Sequence, residues 1–383
     1  MWRTVISLVF ILFLVVFASS VSSHLWAGRP EKQPDSIDIT VSEGITVAEF
    51  GKKYELDRRV LKDVFDLKSP DDLKKQVADF GISRELLSKK LNKVLAIQAE
   101  HGSKNWVKIF LKGGLWIIFL LAVFNLLRKG KITARNRKWI YMAAVVVFGI
   151  ILGSDPSPMG TVKDAIVLLG SKGVIFPPRI IAFGIFLLMV VLANKFICSW
   201  GCQVGTLQDL IFRLNRDSKD RKGLFGRIKI PFIISNSIRI SFFIILLFVA
   251  FIWAADIIEV VDPFKIFKPK VIGIAGGLFI GLVLLLSLFI YRPWCHFFCP
   301  FGLVGWLAEK ISVFKIKVDY DKCISCQACS KACPSTVMDA ILKQDRIIPD
   351  CFSCGTCIET CPADAISFVS GKREKPPKGK FDK

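Results

Sequence analysis

Eight of the twelve cysteines in this 383-residue chain fall between Cys323 and Cys361. They are Cys323, Cys326, Cys329 and Cys333, then Cys351, Cys354, Cys357 and Cys361. Each half therefore reads C-x2-C-x2-C-x3-C-P, closed by Pro334 and Pro362. A cubane [4Fe–4S] cluster takes four thiolates. Three can come from one short loop, and the fourth, placed before proline, reaches the other cluster. The spacing assigns Cys323, Cys326, Cys329 and Cys361 to one cluster. It assigns Cys351, Cys354, Cys357 and Cys333 to a second. Tetrahedral zinc uses two separated pairs per ion, not a triplet plus a prolyl-flanked fourth. A disulfide framework this dense would be hard to close without strain. Between the ligands, Ile324, Ser325, Ala328, Phe352 and Ser353 can give apolar cover or backbone N–H groups to sulfur, which tune cluster potential.

The remaining four cysteines form an internal repeat, Cys198-SWG-Cys202 and Cys295-HFF-Cys299. Each unit is an apolar run, then C-x3-C, then a glycine (Gly205 or Gly302), then an amphipathic stretch. Leu207, Leu210, Ile211 and Leu214 share one helical face, and Leu303, Trp306, Leu307 and Ile311 share another. Both stretches are expected to lie on a membrane surface. On a helix, C-x3-C sets two sulfurs one turn apart on one side, so the two pairs can converge. They can hold a further metal site, act as redox thiols, or pack as small buried residues. The histidines are His24, His101 and His296, which offer no facing pair for a b-type haem in a bilayer.

These motifs need a scaffold, and the rest of the chain describes one. Hydrophobic residues make up 52% of the chain, gathered in discrete runs, which indicates an integral membrane protein. The net charge of +21 sits in short loops beside those runs, where the positive-inside rule places it, so no nucleic-acid partner is expected. No cysteine precedes Cys198. That argues against a secreted disulfide protein and for reduced thiols facing the cytoplasm. Residues 1–23 read as a signal peptide or an anchor. Residues 24–106 carry nearly balanced charge and helical spacing of Ile45, Val47, Phe50, Val60, Leu61, Val64 and Phe65, which predicts a small helical domain outside the membrane. Five spans follow: Val107–Leu127, Trp139–Gly153, Arg179–Phe196, Pro231–Ala255 and Val271–Tyr291. The basic loops 128–138 and 201–229 are expected inside. Residues 107–314 thus make a transmembrane domain carrying both C-x3-C repeats, and 315–370 the two-cluster domain. The Lys/Pro/Gly-rich tail 371–383 is predicted to be without order.

The runs ICSWGCQVGTLQDLIFRL and YRPWCHFFCPFG and the paired cluster motif resemble membrane iron–sulfur proteins of the NapH type and the C-terminal half of the NosR family. The resemblance covers about residues 107–370 and implies several membrane spans with a cytoplasmic two-cluster ferredoxin segment. The whole chain is thus read as an α-helical integral membrane protein of five spans plus the N-terminal segment, with a cytoplasmic α+β ferredoxin-like domain and a small extracytoplasmic all-α domain, the last a departure from the NapH type. The resemblance also implies electron transfer between the quinone pool and a partner reductase, as a quinol dehydrogenase-type subunit of the cytoplasmic membrane. Gln203 stands after Cys202 where the family has proline, and no flavinylation motif is present.

Quinol oxidation needs a proton acceptor. His296, Asp209 and Glu309 are candidates at the inner surface, and Asp155, Asp164, Asp256 and Glu259 at the outer. A hydrocarbon core of about 30 Å separates inside clusters from outside partners. The extracytoplasmic domain is therefore expected to dock another redox subunit. The other functions considered are an accessory electron donor for metal-centre reduction or assembly, as in CcoG-type proteins, and a redox-sensing regulator. An outer domain with copper ligands would favour the accessory donor, and this one has no Cys or Met.

Overall fold

The computed structural model describes residues 2–25, 44–67, 69–103, 105–216 and 226–381. The first part of the predicted outer domain, 26–43, and the stretch 217–225 of the basic loop lie outside the described residues.

The chain forms two compact units. In the larger one, α1 (Trp2–Leu25) is apolar throughout its middle. Leu8 and Val15 are buried in a cluster with Val145, Ile150 and Phe267. The Ser22 hydroxyl donates to the Ile151 carbonyl at 3.1 Å. The smaller unit holds α2 (Val47–Lys53), α3 (Arg58–Phe65) and α4 (Arg84–Ser103) with two short 3-10 turns. Thr46 and Glu49 form a capping box at the start of α2. Val47, Phe50, Val60, Leu61, Val64, Phe65, Leu87 and Leu91 fill its core.

Next come α5 (Trp106–Arg128) and α6 (Ala134–Ala144), which runs into a π-helical stretch at Val145–Ile151. After these are α7 (Pro158–Lys172), α8 (Pro177–Ala193), α9 (Phe196–Trp200), α10 (Gln203–Leu214) and α11 (Phe232–Ile252). The short α12 (Ile258–Val261) leads to α13 (Ile274–Leu286), α14 (Pro293–Phe297) and α15 (Pro300–Glu309). Among the described residues, three helices are long and apolar enough to cross a membrane: Thr4–Ser22 within α1, α5 and α11. The helices α8 and α13 are apolar but shorter. Outward-facing Phe110, Ile118, Ile233, Ile244, Phe248 and Leu278 are all more than half exposed, a surface suited to lipid.

One expectation fails here. The stretch after Cys202 does not lie on a surface: every residue of α10 from Gln203 to Arg213 is buried. The reason is its polar side. Asp209 and Arg213 find charged partners inside the bundle, so the helix has no face that needs water. The matching α15 keeps Leu307 exposed.

The C-terminal domain has one antiparallel pair, β1 (Phe314–Val318) and β2 (Ile366–Ser370), with Phe314 opposite Ser370 and Val318 opposite Ile366. Between them lie α16 (Ala328–Ala332), α17 (Val337–Lys343) and α18 (Thr356–Thr360). The tail 371–381 has no helix or strand but is not detached. Arg373 Nε donates to Ile316 O at 3.0 Å, Lys380 Nζ bonds the Tyr320 carbonyl, and the Phe381 ring packs near Tyr320. An aromatic at the end of a basic run supplies the apolar anchor that composition did not predict.

Candidate iron–sulfur site

Two cavities sit side by side in the C-terminal domain. Cys323, Cys326, Cys329 and Cys361 line the first, with Ile324, Val318, Ile366 and Phe381. Cys333, Cys351, Cys354 and Cys357 line the second, with Tyr291, Ile316, Met338 and Phe352. Each cavity therefore draws three cysteines from one loop and the fourth from the other. Neither lining contains a charged side chain. Four thiols in an apolar wall fit a [4Fe–4S] cluster, and such a cluster, when bound, supplies one-electron redox chemistry.

The loops share a backbone device. Ser325 and Gln327 flank the middle cysteine of the first loop in the left-handed region, at φ 56° and 55°. Ser353 and Gly355 do the same in the second, at φ 50° and 79°. Left-handed residues on both sides of one cysteine turn the chain around a centre and point N–H groups inward. At Gly355 the space is also closed, since a Cβ would lie 2.9 Å from Leu127 Cδ1. The sulfurs have polar neighbours: Ala365 N–H donates to Cys361 Sγ at 3.3 Å, and Thr356 Oγ1 lies 3.3 Å from Cys354 Sγ. Burial pushes the Cys351 thiol up to about 12, so ionising it at neutral pH takes a bound metal. Cys326 is exposed and Ile324 is 66% exposed, whereas Cys333 and Cys351 are buried. The first cavity thus has an exposed cysteine on its wall, and the second is lined on one side by Tyr291 of the bundle.

Side chains of the bundle and its loops bind both cysteine loops. Arg137 Nε donates to Cys354 O at 2.9 Å, and its guanidinium pairs with Glu359 at 3.1 Å. Trp200 Nε1 donates to Ser353 O at 3.2 Å. Arg227 and Lys229 donate to the carbonyls of Lys331, Cys333 and Ser330. Asp350, fully buried, pairs with Lys195 and with Arg239, the latter at 2.8 Å. Burial would lift the Asp350 carboxyl, but Arg239 and Lys195 outweigh it and hold it at about 2.

The two C-x3-C motifs are built alike. Arg292 Nη1 donates to the carbonyl of Cys198 at 2.6 Å, and Arg239 Nη1 to the carbonyl of Cys295 at 3.5 Å. Cys202 and Cys299 stand at the N-caps of α10 and α15. Burial pushes the Cys299 thiol well up, and Cys295, Cys202 and Cys198 push it further, so the four sulfurs share one neighbourhood. The glycines of the repeat are required by contact. A Cβ on Gly205 would lie 2.5 Å from Cys198 O and 3.2 Å from Arg292 Nη1. One on Gly302 would lie 2.8 Å from Cys295 O. Gly205→Ala is expected to destabilise the protein by roughly 1–3 kcal/mol by overpacking. Gly281→Ala, which meets nothing within 4 Å, should leave the thermal midpoint unchanged. Equal midpoints in detergent for the two variants would refute the close approach.

The candidate proton acceptors separate clearly. Burial raises the Asp209 carboxyl, but Arg213 and Arg292 dominate and hold it at about 2. It pairs with them at 2.7 and 2.6 Å, and it accepts from Tyr291 OH at 2.9 Å. A carboxylate held so low takes no proton near neutrality. Burial drives His296 down to about 4. Burial drives Glu309 the other way, to about 8, against Lys195 and with Asp350. Glu309 Oε1 accepts from the Cys351 N–H at 3.0 Å, and Oε2 has no partner. At the other end of the bundle, Asp155 pairs with Lys268, Asp164 with Lys163 and Arg179, and Asp256 with Lys163. Glu259 is exposed.

Lys195, Arg239, Arg292 and Asp350 were missed by sequence reasoning. A signal existed: Lys195 and Arg292 each stand three residues before a C-x3-C motif. Arg239 is a lone cation in an apolar run.

Comparison with known proteins gives a consistent picture. A family model described as a 4Fe-4S dicluster domain matches residues 315–369. A second, described as a 4Fe-4S binding domain, matches 175–227 and 272–319. YccM of Escherichia coli (strain K12), assigned by name to electron transport, is 32% identical over 162 residues, 40% of this chain and 44% of that protein. The ferredoxin-type protein NapH of the same strain is 28% identical over 154 residues, 39% of this chain and 51% of its own. The uncharacterized protein MJ0749 of Methanocaldococcus jannaschii is 25% identical over 218 residues, 56% of this chain and 78% of its own. The chain thus spans under half of YccM and about half of NapH. No solved structure matches.

Proposed function

We propose that this NapH-like, ferredoxin-type 4Fe–4S electron-transport protein passes electrons between the quinone pool and a partner reductase. The observation that carries the proposal is the pair of four-cysteine cavities, one with Cys326 exposed on its wall and the other lined by Tyr291 of the helical bundle. In this assignment Cys323, Cys326, Cys329 and Cys361 hold one cluster, and Cys351, Cys354, Cys357 and Cys333 the other. The four remaining cysteines form a third metal or redox-thiol site.

Two loops that touch the cluster domain support a membrane arrangement. Arg137 and Arg227, from the two most basic loops, both grip it. The positive-inside rule then places that domain in the cytoplasm, with five spans from α5 to α13 in the cytoplasmic membrane. The packed Leu8, Val15 and Ser22 support retention of α1 as an anchor. The helical unit of α2–α4 then lies outside, as a dock for a redox partner. Among the proton-acceptor candidates, Glu309 is the one whose carboxyl titrates near neutrality, at about 8, so its ionised fraction can take a proton there.

The test is anaerobic. Reduced menaquinol analogue is added to the purified full-length protein and the clusters are followed by EPR. Rapid cluster reduction is expected. No reduction by quinol, with ready reduction by a low-potential cytoplasmic donor, would overturn the quinol link in favour of an accessory donor.

A further inference from the structure

We propose that Thr356 raises the reduction potential of the cluster in the second cavity by donating its hydroxyl proton to the Cys354 sulfur, and that Arg213 is the positioning residue that aims this hydroxyl. The inference deepens the reading above and rests on its assignment of Cys333, Cys351, Cys354 and Cys357 to one cluster.

The two cysteine loops can be laid over each other residue by residue. In the first, Gln327 caps α16 and Ala328 opens it, between Cys326 and Cys329. In the second, Gly355 caps α18 and Thr356 opens it, between Cys354 and Cys357. Both caps are left-handed, at φ 55° and 79°, so Ala328 and Thr356 stand at the same place relative to their own loops. Ala328 brings only a methyl group. Thr356 brings a hydroxyl, and it lines the second cavity.

The direction of the hydrogen bond follows from its neighbours. Thr356 Oγ1 lies 3.3 Å from Cys354 Sγ. Arg213 Nη2 donates to the same oxygen at 3.3 Å. A guanidinium has only donors, so it takes a lone pair of the hydroxyl. A cysteine that ligates metal does so as the thiolate and can only accept. The hydroxyl proton is therefore the one that points at sulfur. Arg213 is itself tied. Its Nε donates to Asp209 Oδ1 at 2.7 Å. Asp209 Oδ2 accepts from Arg292 Nη2 at 2.6 Å and from Tyr291 OH at 2.9 Å. Arg292 Nη1 is anchored on the Cys198 carbonyl. All of these side chains are buried, where a hydrogen bond is stronger than in water and one bond polarises the next.

The sign of the effect is fixed by charge. Reduction makes the ligand sulfurs more negative. A donor aimed at one of them stabilises the reduced form more than the oxidised one, which raises the potential. Ala328 supplies no such donor, so the contact distinguishes the two cavities.

The test uses full-length protein, purified and reconstituted anaerobically, then titrated with redox mediators and followed by EPR. Cys361→Ser, in which only the second cavity keeps four thiols, identifies the wave of that cluster. Thr356→Val removes the hydroxyl at nearly constant volume. Its second-cluster midpoint should fall by the equivalent of about a tenfold change in the reduced-to-oxidised ratio, ~59 mV for one electron, and the first-cluster midpoint should stay. Thr356→Ser restores the hydroxyl and should restore the midpoint. Arg213→Lys keeps the charge but loses the planar fork. It should lower the same midpoint in the wild type and add nothing in the Thr356→Val background. An unchanged midpoint in Thr356→Val, with both signals intact, overturns the role of the hydroxyl and leaves the cluster assignment standing. No lowering by Arg213→Lys, or equal lowering with and without the hydroxyl, overturns the positioning role of Arg213. If the wild type shows no reducible iron–sulfur signal, the cluster assignment fails and this inference fails with it. Should Thr356→Val lose the cluster, Thr356→Ala, which reproduces the residue of the first loop, takes its place with the same expected fall. Should Arg213→Lys not fold, the contrast between Thr356→Val and Thr356→Ser decides.

Discussion

Cys333→Ser is expected to abolish the cluster of the other motif, not of its own. Cys333 belongs by sequence to the loop of Cys323, Cys326 and Cys329, but it lines the cavity of Cys351, Cys354 and Cys357. Cys361 is exchanged the opposite way. Losing one of four thiolates should cost about four irons per chain. The two substitutions should remove different clusters. Cys333→Ser should spare the cavity that contains the exposed Cys326, so its remaining EPR signal stays sensitive to soluble oxidants. Cys361→Ser should leave the inner signal, shielded by Phe352 and Tyr291. The comparison that decides is Cys333→Ser against Cys326→Ser. If their residual spectra are the same, the exchange of ligands is wrong.

Asp350→Asn should be the most damaging change that touches no sulfur. The carboxylate is fully buried and bonds both Lys195 and Arg239. Removing it leaves two buried cations without their counter-charge, and breaking such a pair costs about 3–5 kcal/mol. Lys195 follows α8 and Arg239 sits in α11. Asp350 precedes Cys351, so the variant should also loosen the inner loop from the bundle and speed its proteolysis. The half-exposed pair of Asp339 and Lys343 is the control, because solvent screens it: Asp339→Asn should leave the melting midpoint unchanged. The pH dependence follows with its sign. The Asp350 carboxyl is depressed from 3.8 to about 2, so its contribution is fully present above 3.8 and is lost as pH falls through about 2. Wild-type stability should carry that acid limb, and Asp350→Asn should lack it. A variant with the wild-type midpoint and the same acid limb would refute a structural role for the buried pair.

Much of this was legible in the chain because ligand spacing and apolar run length are local properties. C-x2-C-x2-C-x3-C-P is a covalent ruler: three sulfurs in one loop and a fourth beyond it can reach only certain centres, so the cavity memberships follow the spacing. Apolar runs reveal helices such as α5 and α11 in the same local way. The helical spacing of Val47, Phe50, Val60, Leu61, Val64 and Phe65 foretells the α2–α4 core for the same reason.

The buried ion network was not legible, because a charge declares nothing about its partner across the fold. Arg292 looks like any loop cation until it is found 2.6 Å from the Cys198 carbonyl, 94 residues away in sequence. Asp209 looks like the wet side of an amphipathic helix. Only the packing of α10 against Tyr291 and Arg292 makes it a permanently ionised buried anchor. The basic loops read as membrane-orientation signals and are also grips on the cluster loops, through Arg137, Arg227 and Lys229. The sequence by itself determined which cysteines belong together and where the apolar helices run, since both depend on spacing along the backbone. Tertiary structure decided which charges are sealed beside the sulfurs and which glycines cannot be replaced, since those depend on what distant segments exclude from the same space.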